Sequence, residues 1–166
     1  MAAYNWKQFI KRIPIRASAE SMYKAWATQN GLEMWFLRLA EFKTPSGPLR
    51  TRNELVQKGD RYTWLWFGYD DTMLEEGEIL SANGMNELKF SFSGGCIVKV
   101  TITQEQNETI CELEQTMPMA DESEQQYFFI ECGKGWTFYM TNLKSILEGG
   151  IDLRNKAEYA KNMINA

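Results

Sequence analysis

The amino-acid sequence predicts an α+β fold in which a long helix near the C-terminus covers one face of an antiparallel sheet. Between Gly59 and Met117, short segments of alternating apolar and polar residues follow one another, separated by turn residues. Apolar residues then recur at steps of three and four in one long segment. Strands joined by tight turns must be antiparallel, and a helix packed on one face leaves the other face to water.

The chain begins with a predicted strand and two predicted short helices. The strand runs from Phe9 to Ala17, where isoleucines alternate with basic residues, and Pro14 within it favours an edge position. Ser18 is the type of residue that caps a helix, and that helix is expected to end at Asn30-Gly31. A second short helix is expected from Leu32 to Leu37.

A meander of strands is predicted after an irregular segment that spans residues 41–53 and starts with a strand end. The sheet is expected to contain about six or seven strands. The turn at Asn83-Gly84 suits a hairpin, because both residue types tolerate positive φ. The predicted strands of the meander are Gly59 to Tyr69, Met73 to Ser81, Leu88 to Phe92, Cys96 to Thr103 and Thr109 to Met117.

The late helix is predicted from about Phe128 and carries one apolar stripe. Gly149-Gly150 supplies its stop, and Gly133 and Gly135 predict a break near its start. Each of these two glycines costs about 1 kcal/mol relative to alanine inside a helix. They indicate either a packing accommodation or a kink that lets a ligand approach the backbone. Residues 151–166 are expected to append a helical tail around Lys156 to Met163, and residues 1–166 to form a single domain.

Composition excludes several classes of protein. Of the 166 residues, 44% are hydrophobic and 24% are charged, which is typical of a soluble globular chain. The net charge of -4 disfavours nucleic acid as a partner, and no apolar run is long enough to span a bilayer. The N-terminus lacks a signal-peptide pattern, so we expect a cytoplasmic protein.

The chain contains no histidine, which removes serine–histidine triads, cysteine–histidine dyads and histidine-ligated metals. Three widely spaced cysteines form neither a disulfide framework nor a zinc pattern. No cofactor, no metal and no catalytic residue is therefore predicted. The acidic segment that holds Asp70, Asp71, Glu75, Glu76 and Glu78 is expected to be a solvated loop.

Basic residues of the first strand face acidic residues expected on the last strand. Arg12 and Arg16 are predicted to form cross-strand ion pairs with Glu112 and Glu114. In an alternative enzymatic reading, Arg16, Glu112 or a pocket tyrosine such as Tyr62 would be the acid–base group.

The inner face of the sheet and the late helix supply the candidate binding residues. Their aromatic character allows two readings, a filled core or the wall of an apolar cavity, and the frequency of Trp (6) and Met (9) favours the wall. On the outer face, Leu65 and Phe67 indicate a partner or dimer contact. The predicted cavity residues are Tyr62, Trp64, Trp66, Phe90, Phe92, Val98, Val100, Leu113, Trp136, Met140 and Leu143.

Five segments in a fixed order resemble a known family. They are Leu32…Trp35-Phe36, Gly59…Tyr62-x-Trp64-x-Trp66, Gly77-Glu78-Ile79, Leu88-x-Phe90-x-Phe92 and Gly135-Trp136…Leu143…Leu147. Together they are similar to homologues of the activator of the heat-shock-chaperone ATPase, within the START-like (SRPBCC) superfamily. This resemblance implies a helix-grip fold, in which a curved sheet wraps around the last helix and encloses an apolar cavity.

The functions that the resemblance implies are diverse. They include binding of lipids, sterols or polyketides, cyclase or hydratase chemistry, and co-chaperone activity. The chain departs from many relatives in lacking a histidine before Gly135-Trp136, and from true chaperone activators in lacking a second domain. We therefore expect a non-catalytic protein that binds a small apolar ligand. The alternatives are a chaperone-interacting module, an enzyme of cyclase or hydratase type, and assembly as a homodimer.

Overall fold

A computed structural model describes residues 4–157 and Met163. Seven antiparallel strands form one sheet in the order β1-β7-β6-β5-β4-β3-β2. A 3-10 turn, Ser93–Gly95, links two of the strands. The elements are β1 (Gln8–Ile15), α1 (Ala19–Ala27), α2 (Gln29–Trp35), β2 (Leu39–Lys43), β3 (Arg61–Leu65), β4 (Glu75–Ala82), β5 (Glu87–Phe92), β6 (Cys96–Glu105), β7 (Glu108–Thr116) and α3 (Glu122–Leu147).

The predicted fold class is confirmed: a curved antiparallel sheet, two short helices after the first strand, and a long C-terminal helix. β1 lies at an edge of the sheet, as Pro14 indicated. Ser18 caps α1, with its side chain accepting a hydrogen bond from the Ser21 backbone N–H. Asp121 caps α3 in the same way, through the N–H groups of Ser123 and Glu124.

The boundary predicted between the two short helices was wrong. α1 ends at Ala27, and Gly31 lies within α2, where it presses against the preceding helix. A Cβ on Gly31 would collide with the carbonyl oxygen of Lys24 and stand 2.7 Å from the Cα of Ala25. Glycine is therefore required here for close helix packing, and the stop comes from Thr28, which is extended and caps α2.

Two strand boundaries also differ from the prediction. Part of the segment predicted to be irregular forms β2, which pairs with β3 from Leu39↔Leu65 to Lys43↔Arg61. β3 ends at Leu65, so Trp66 and Phe67 belong to the loop before β4 and not to a strand. The side chain of Phe67 is half-buried beneath Arg154 and Lys156, whose charged groups lie 5.3 and 5.4 Å from its ring centroid.

The late helix is continuous. α3 holds 26 residues without the predicted break, and Gly133 and Gly135 lie inside it. Its C-terminal half supplies most of its buried side chains, among them Trp136, Met140 and Leu143. Residues 151–157 form no helix, and most of the helical tail predicted around Lys156 to Met163 lies outside the described residues.

A cluster of aromatic rings forms the core between the sheet and the helices. Trp26 and Trp35 meet edge to face with ring centroids 4.5 Å apart, and Tyr62 stacks on Trp64 at 3.8 Å. Phe36 contacts Trp136 of α3 at 5.1 Å. Two polar contacts also tie α2 and its flank to the C-terminal region. Asn142 donates to the Trp35 carbonyl at 2.7 Å, and Arg154 donates to the Leu37 carbonyl at 3.0 Å.

Candidate ligand cavity

A cavity of about 460 Å³ lies where the N-terminal half of α3 passes over the loop between β3 and β4 and the end of β5. Farther along α3, Met140, Asn142 and Leu143 are buried in the core. Eight aromatic side chains line the cavity: Phe36, Trp66, Tyr69, Phe92, Tyr127, Phe128, Trp136 and Tyr139. Thr72, Met73, Leu74, Glu75, Ser93, Glu131, Cys132 and Gly135 complete the lining.

The aromatic rings of the lining meet at varied angles. Phe36 meets Trp66 and Tyr139 edge to face, with centroids 5.8 and 4.8 Å apart. Phe92 contacts Trp136 in a tilted arrangement at 5.2 Å. The cavity thus presents both faces and edges of rigid rings, which suits a flat or apolar molecule.

Glu75, the first residue of β4, is a half-buried carboxyl in the lining. Its Oε2 accepts a hydrogen bond of 2.7 Å from the Ser93 hydroxyl. Burial raises the pKa of the Glu75 carboxyl, and the hydrogen bond from Ser93 offsets part of that effect. The acidic segment was expected to be a solvated loop. Asp70, Asp71, Glu76 and Glu78 are exposed, whereas Glu75 is not, and Glu75, Glu76 and Glu78 lie in strand β4 and not in a loop.

A buried polar group supports the cavity wall from below. The Gln115 side chain, which is fully buried, accepts a hydrogen bond of 2.7 Å from the indole N–H of Trp136. The thiols of Cys96 and Cys132 also contact Gln115, and burial raises the pKa of both, to about 11 for Cys96. The cysteines are therefore protonated at neutral pH, and Gln115 fixes the orientation of the Trp136 ring.

The structure brings three of the predicted cavity residues to the cavity: Trp66, Phe92 and Trp136. The other eight are buried in the filled part of the core and do not border this space. They are Tyr62, Trp64, Phe90, Val98, Val100, Leu113, Met140 and Leu143. The sequence missed the loop residues of the lining and Glu75, because the cavity depends on how distant segments meet.

The acid–base candidates are separated from the cavity. The Arg16 side chain is 88% exposed and pairs with Glu148, while Glu112 pairs with Arg12 at 2.9 Å. The cross-strand ion pair predicted for Arg12 and Glu112 is therefore present, whereas the one predicted for Arg16 is replaced by a contact with the end of α3. Burial raises the pKa of Tyr62, whose hydroxyl donates to the Ser91 carbonyl.

Gly135 lies in the lining, whereas Gly133, two residues earlier, faces the opposite side. A Cβ on Gly133 would meet only the Lys11 side chain, at 4.0 Å. Gly135 therefore borders this cavity, whereas Gly133 borders a separate groove between α3 and β1.

Neither a metal site nor a membrane span is found in the part of the chain that the structure describes. No cluster of three or more Cys, Asp or Glu side chains there is placed to hold a metal ion. None of the helices described is long and apolar enough to cross a membrane.

The sequence was compared with known protein families and with curated proteins. The family described as "Activator of Hsp90 ATPase homolog 1-like protein" matches residues 16–148. No curated protein sequence matches the chain.

Solved structures share this fold at low sequence identity. The protein SSP2350 from Staphylococcus saprophyticus is 14% identical with a TM-score of 0.66, over 89% of this chain and 96% of that one. The Aha1 dimer from Colwellia psychrerythraea is 17% identical with a TM-score of 0.64, over 86% of this chain and 97% of that one. DynU16, from the dynemicin biosynthetic locus, is 19% identical with a TM-score of 0.62, over 90% of this chain and 50% of that one.

Proposed function

Since the chain belongs to the family of Activator of Hsp90 ATPase homolog 1-like proteins, we propose that it binds a small hydrophobic or aromatic molecule in the cavity under α3. In this proposal it acts as a binding protein and not as an enzyme. The observation that carries the proposal is the cavity of about 460 Å³ lined by eight aromatic side chains. Ligand sites in proteins commonly measure about 300–1,000 Å³ and combine an apolar lining with a few polar groups.

The lining supports binding because its rings are already fixed. The core holds Phe36 and Trp136 on one side of the cavity, and Gln115 holds the Trp136 indole through its N–H. A ligand that enters therefore gains contacts with rings that lose little conformational freedom. Glu75 and Ser93 supply the polar groups that orient such a ligand.

Intrinsic fluorescence tests the proposal directly, because Trp66 and Trp136 both line the cavity. Titration with a panel of lipids, flavonoids and polyketides is expected to give at least one saturable change in intensity or emission maximum. A stoichiometry of one molecule per chain is expected from calorimetry on the same compound.

Two glycines of α3 provide a matched pair of variants for this test. Gly135→Leu places a side chain in the cavity and is expected to weaken binding at least about tenfold. Gly133→Leu makes the same change on the opposite side of the helix, where a Cβ meets only the Lys11 side chain, and is expected to leave affinity unchanged. Absence of any saturable signal, or equal loss in both variants, would contradict the proposal.

A second candidate function is interaction with a heat-shock chaperone. The family match favours it, as do exposed apolar side chains in the cavity lining, among them Met73 (60% exposed), Leu74 (46%) and Tyr127 (61%). It predicts faster ATP hydrolysis by the cognate chaperone when the protein is added, and loss of that effect in Met73→Glu. An unchanged hydrolysis rate would remove this candidate.

Two further hypotheses concern catalysis and assembly. An enzyme of cyclase or hydratase type would use Glu75 as its acid–base group, since neither Arg16 nor Glu112 reaches the cavity. A homodimer is a separate hypothesis, which light scattering tests through the molar mass in solution.

A further inference from the structure

The charged groups in the cavity lining all have one sign. Glu75 and Glu131 line the cavity, whereas no lysine or arginine occurs among its described lining residues. Glu131 is exposed and pairs with Lys134, whose Nζ lies 2.7 Å from Glu131 Oε1. Glu75 has no ion-pair partner within the described ranges, 4–157 and 163, so its negative charge is uncompensated.

Two arginines close to lining residues of the cavity are engaged elsewhere. Arg38, which is beside the loop between β3 and β4, pairs with Asp71. Arg154 pairs with Asp152 at 2.7 Å and also donates to backbone carbonyls of Glu33, Met34 and Leu37. Neither cation is therefore available to receive an anionic ligand in the cavity.

An uncompensated carboxylate among aromatic rings favours a cation. The faces of aromatic rings carry negative electrostatic potential and attract cations, most strongly where water is excluded. The Ser93 hydroxyl occupies Glu75 Oε2, while Oε1 accepts no hydrogen bond from the described residues and can receive one from a ligand. A ligand that carries a carboxylate is repelled, because the Glu75 carboxylate and the ring faces are also negative.

We propose that the cavity selects apolar or aromatic amines in their cationic form, with Glu75 as the residue that pairs with the ammonium group. This inference rests on the proposed function, because it names the chemical class of the ligand for the same cavity. The rings supply affinity through apolar contact, and Glu75 supplies the preference for positive charge.

Three probes with one ring system and different charge separate the two proposals. They are 1-naphthylmethylammonium, 1-naphthylmethanol and 1-naphthoate, each titrated into the full chain by calorimetry at neutral pH. The ammonium probe is expected to bind at least about tenfold more tightly than the naphthoate. The neutral alcohol is expected to have intermediate affinity.

The variants Glu75→Gln and Glu76→Gln assign the preference to one side chain. They change the net charge equally and are adjacent in β4, but Glu76 is exposed and outside the cavity lining. Glu75→Gln is expected to lower the affinity for the ammonium probe and to remove most of its preference over the naphthoate. Glu76→Gln is expected to preserve that preference.

The outcomes distinguish the two proposals. If the alcohol and the naphthoate bind as tightly as the ammonium probe, ligand binding stands and the selection for amines is overturned. If none of the three binds, both are overturned. An ammonium preference that persists in folded Glu75→Gln, verified by circular dichroism, overturns the role of Glu75. If Glu75→Gln does not fold, the order of affinities in the unaltered chain still decides the selectivity.

Discussion

At the scale of single residues, the cavity shows how identical residue types acquire different roles from their positions. Glu75 and Glu76 are neighbours, but the alternation of β4 turns Glu75 toward the cavity and Glu76 toward water. Ser93, which is far from Glu75 in the chain, then becomes its hydrogen-bond donor. The sequence showed an acidic segment. Which of its carboxylates faces a cavity and which faces water depends on how the strands pair.

Glu75→Gln is expected to stabilise the protein at neutral pH. Burial raises the pKa of Glu75 in the folded state above its unfolded value of about 4.3, so the folded state binds the proton more tightly. The free energy of unfolding therefore falls as the pH rises from the unfolded-state pKa to the folded-state pKa of Glu75. Above the folded-state pKa, the full destabilising effect of the buried carboxylate is present. The tyrosine and cysteine groups around Glu75, namely Tyr62, Cys96 and Cys132, titrate far above this window.

The measurement is urea unfolding of the wild type and the variant at pH 4 and pH 7. The free energy of unfolding of Glu75→Gln should exceed that of the wild type at pH 7, and the difference should shrink at pH 4. Glu76→Gln, which is exposed, controls for net charge and should show no such pH dependence. A difference that is equal at both pH values would mean that Glu75 is not desolvated.

Two tryptophans that both line the cavity are expected to contribute unequally to stability. Trp136 is 2% exposed and donates to Gln115, so Trp136→Ala should cost about 3–5 kcal/mol and deprive the Gln115 side-chain oxygen of the indole donor. Trp66 lies in a loop and is only half-buried, so Trp66→Ala should cost less than half as much. Urea unfolding followed by circular dichroism gives both values, and equal losses would show that Trp66 belongs to the core.

At the scale of elements, the sequence predicted the type of most elements and missed some of their ends. Alternation with period two identified the strands of the meander, because the pattern is set by local geometry. The helix end predicted at Gly31 was wrong, because a glycine that ends a helix and a glycine that permits close contact between helices cannot be told apart in the sequence. The same ambiguity made Gly133 and Gly135 predict a break, whereas α3 is continuous.

Gly31→Ala is expected to destabilise the protein although alanine favours helices. The added Cβ would collide with backbone atoms of Lys24 and Ala25, which cannot move aside as a flexible side chain would. Overpacking of this kind typically costs about 1–3 kcal/mol. Gly133→Ala is the matched control, since its Cβ makes only an ordinary contact with the Lys11 side chain, and it should stabilise by up to about 1 kcal/mol. Thermal unfolding of both variants checks the signs, and a stabilising Gly31→Ala would contradict the close packing of α1 and α2.

At the scale of the whole molecule, α3 has two unlike halves. Residues Trp136, Tyr139, Met140 and Leu143 pack against the core, whereas of residues 122–135 only Gln125 is buried. The apolar stripe predicted a single continuous wall along the helix. The first half instead borders the cavity together with the loop between β3 and β4, and no local pattern in the sequence encodes that meeting of distant segments.

The rate of amide hydrogen exchange is expected to differ between the two halves of α3. Amides of residues 127–132 lie in the part of α3 that borders the cavity and should exchange at least about tenfold faster than amides of residues 140–143, which lie beyond its lining. Fraying from the N-terminus of the helix would produce a similar gradient, so two variants are needed. Gly135→Leu should slow exchange at residues 127–132 by filling the space beneath them, whereas Gly133→Leu removes a helical glycine without filling it. If both variants slow exchange equally, helix propensity accounts for the gradient and the cavity does not weaken this part of the fold.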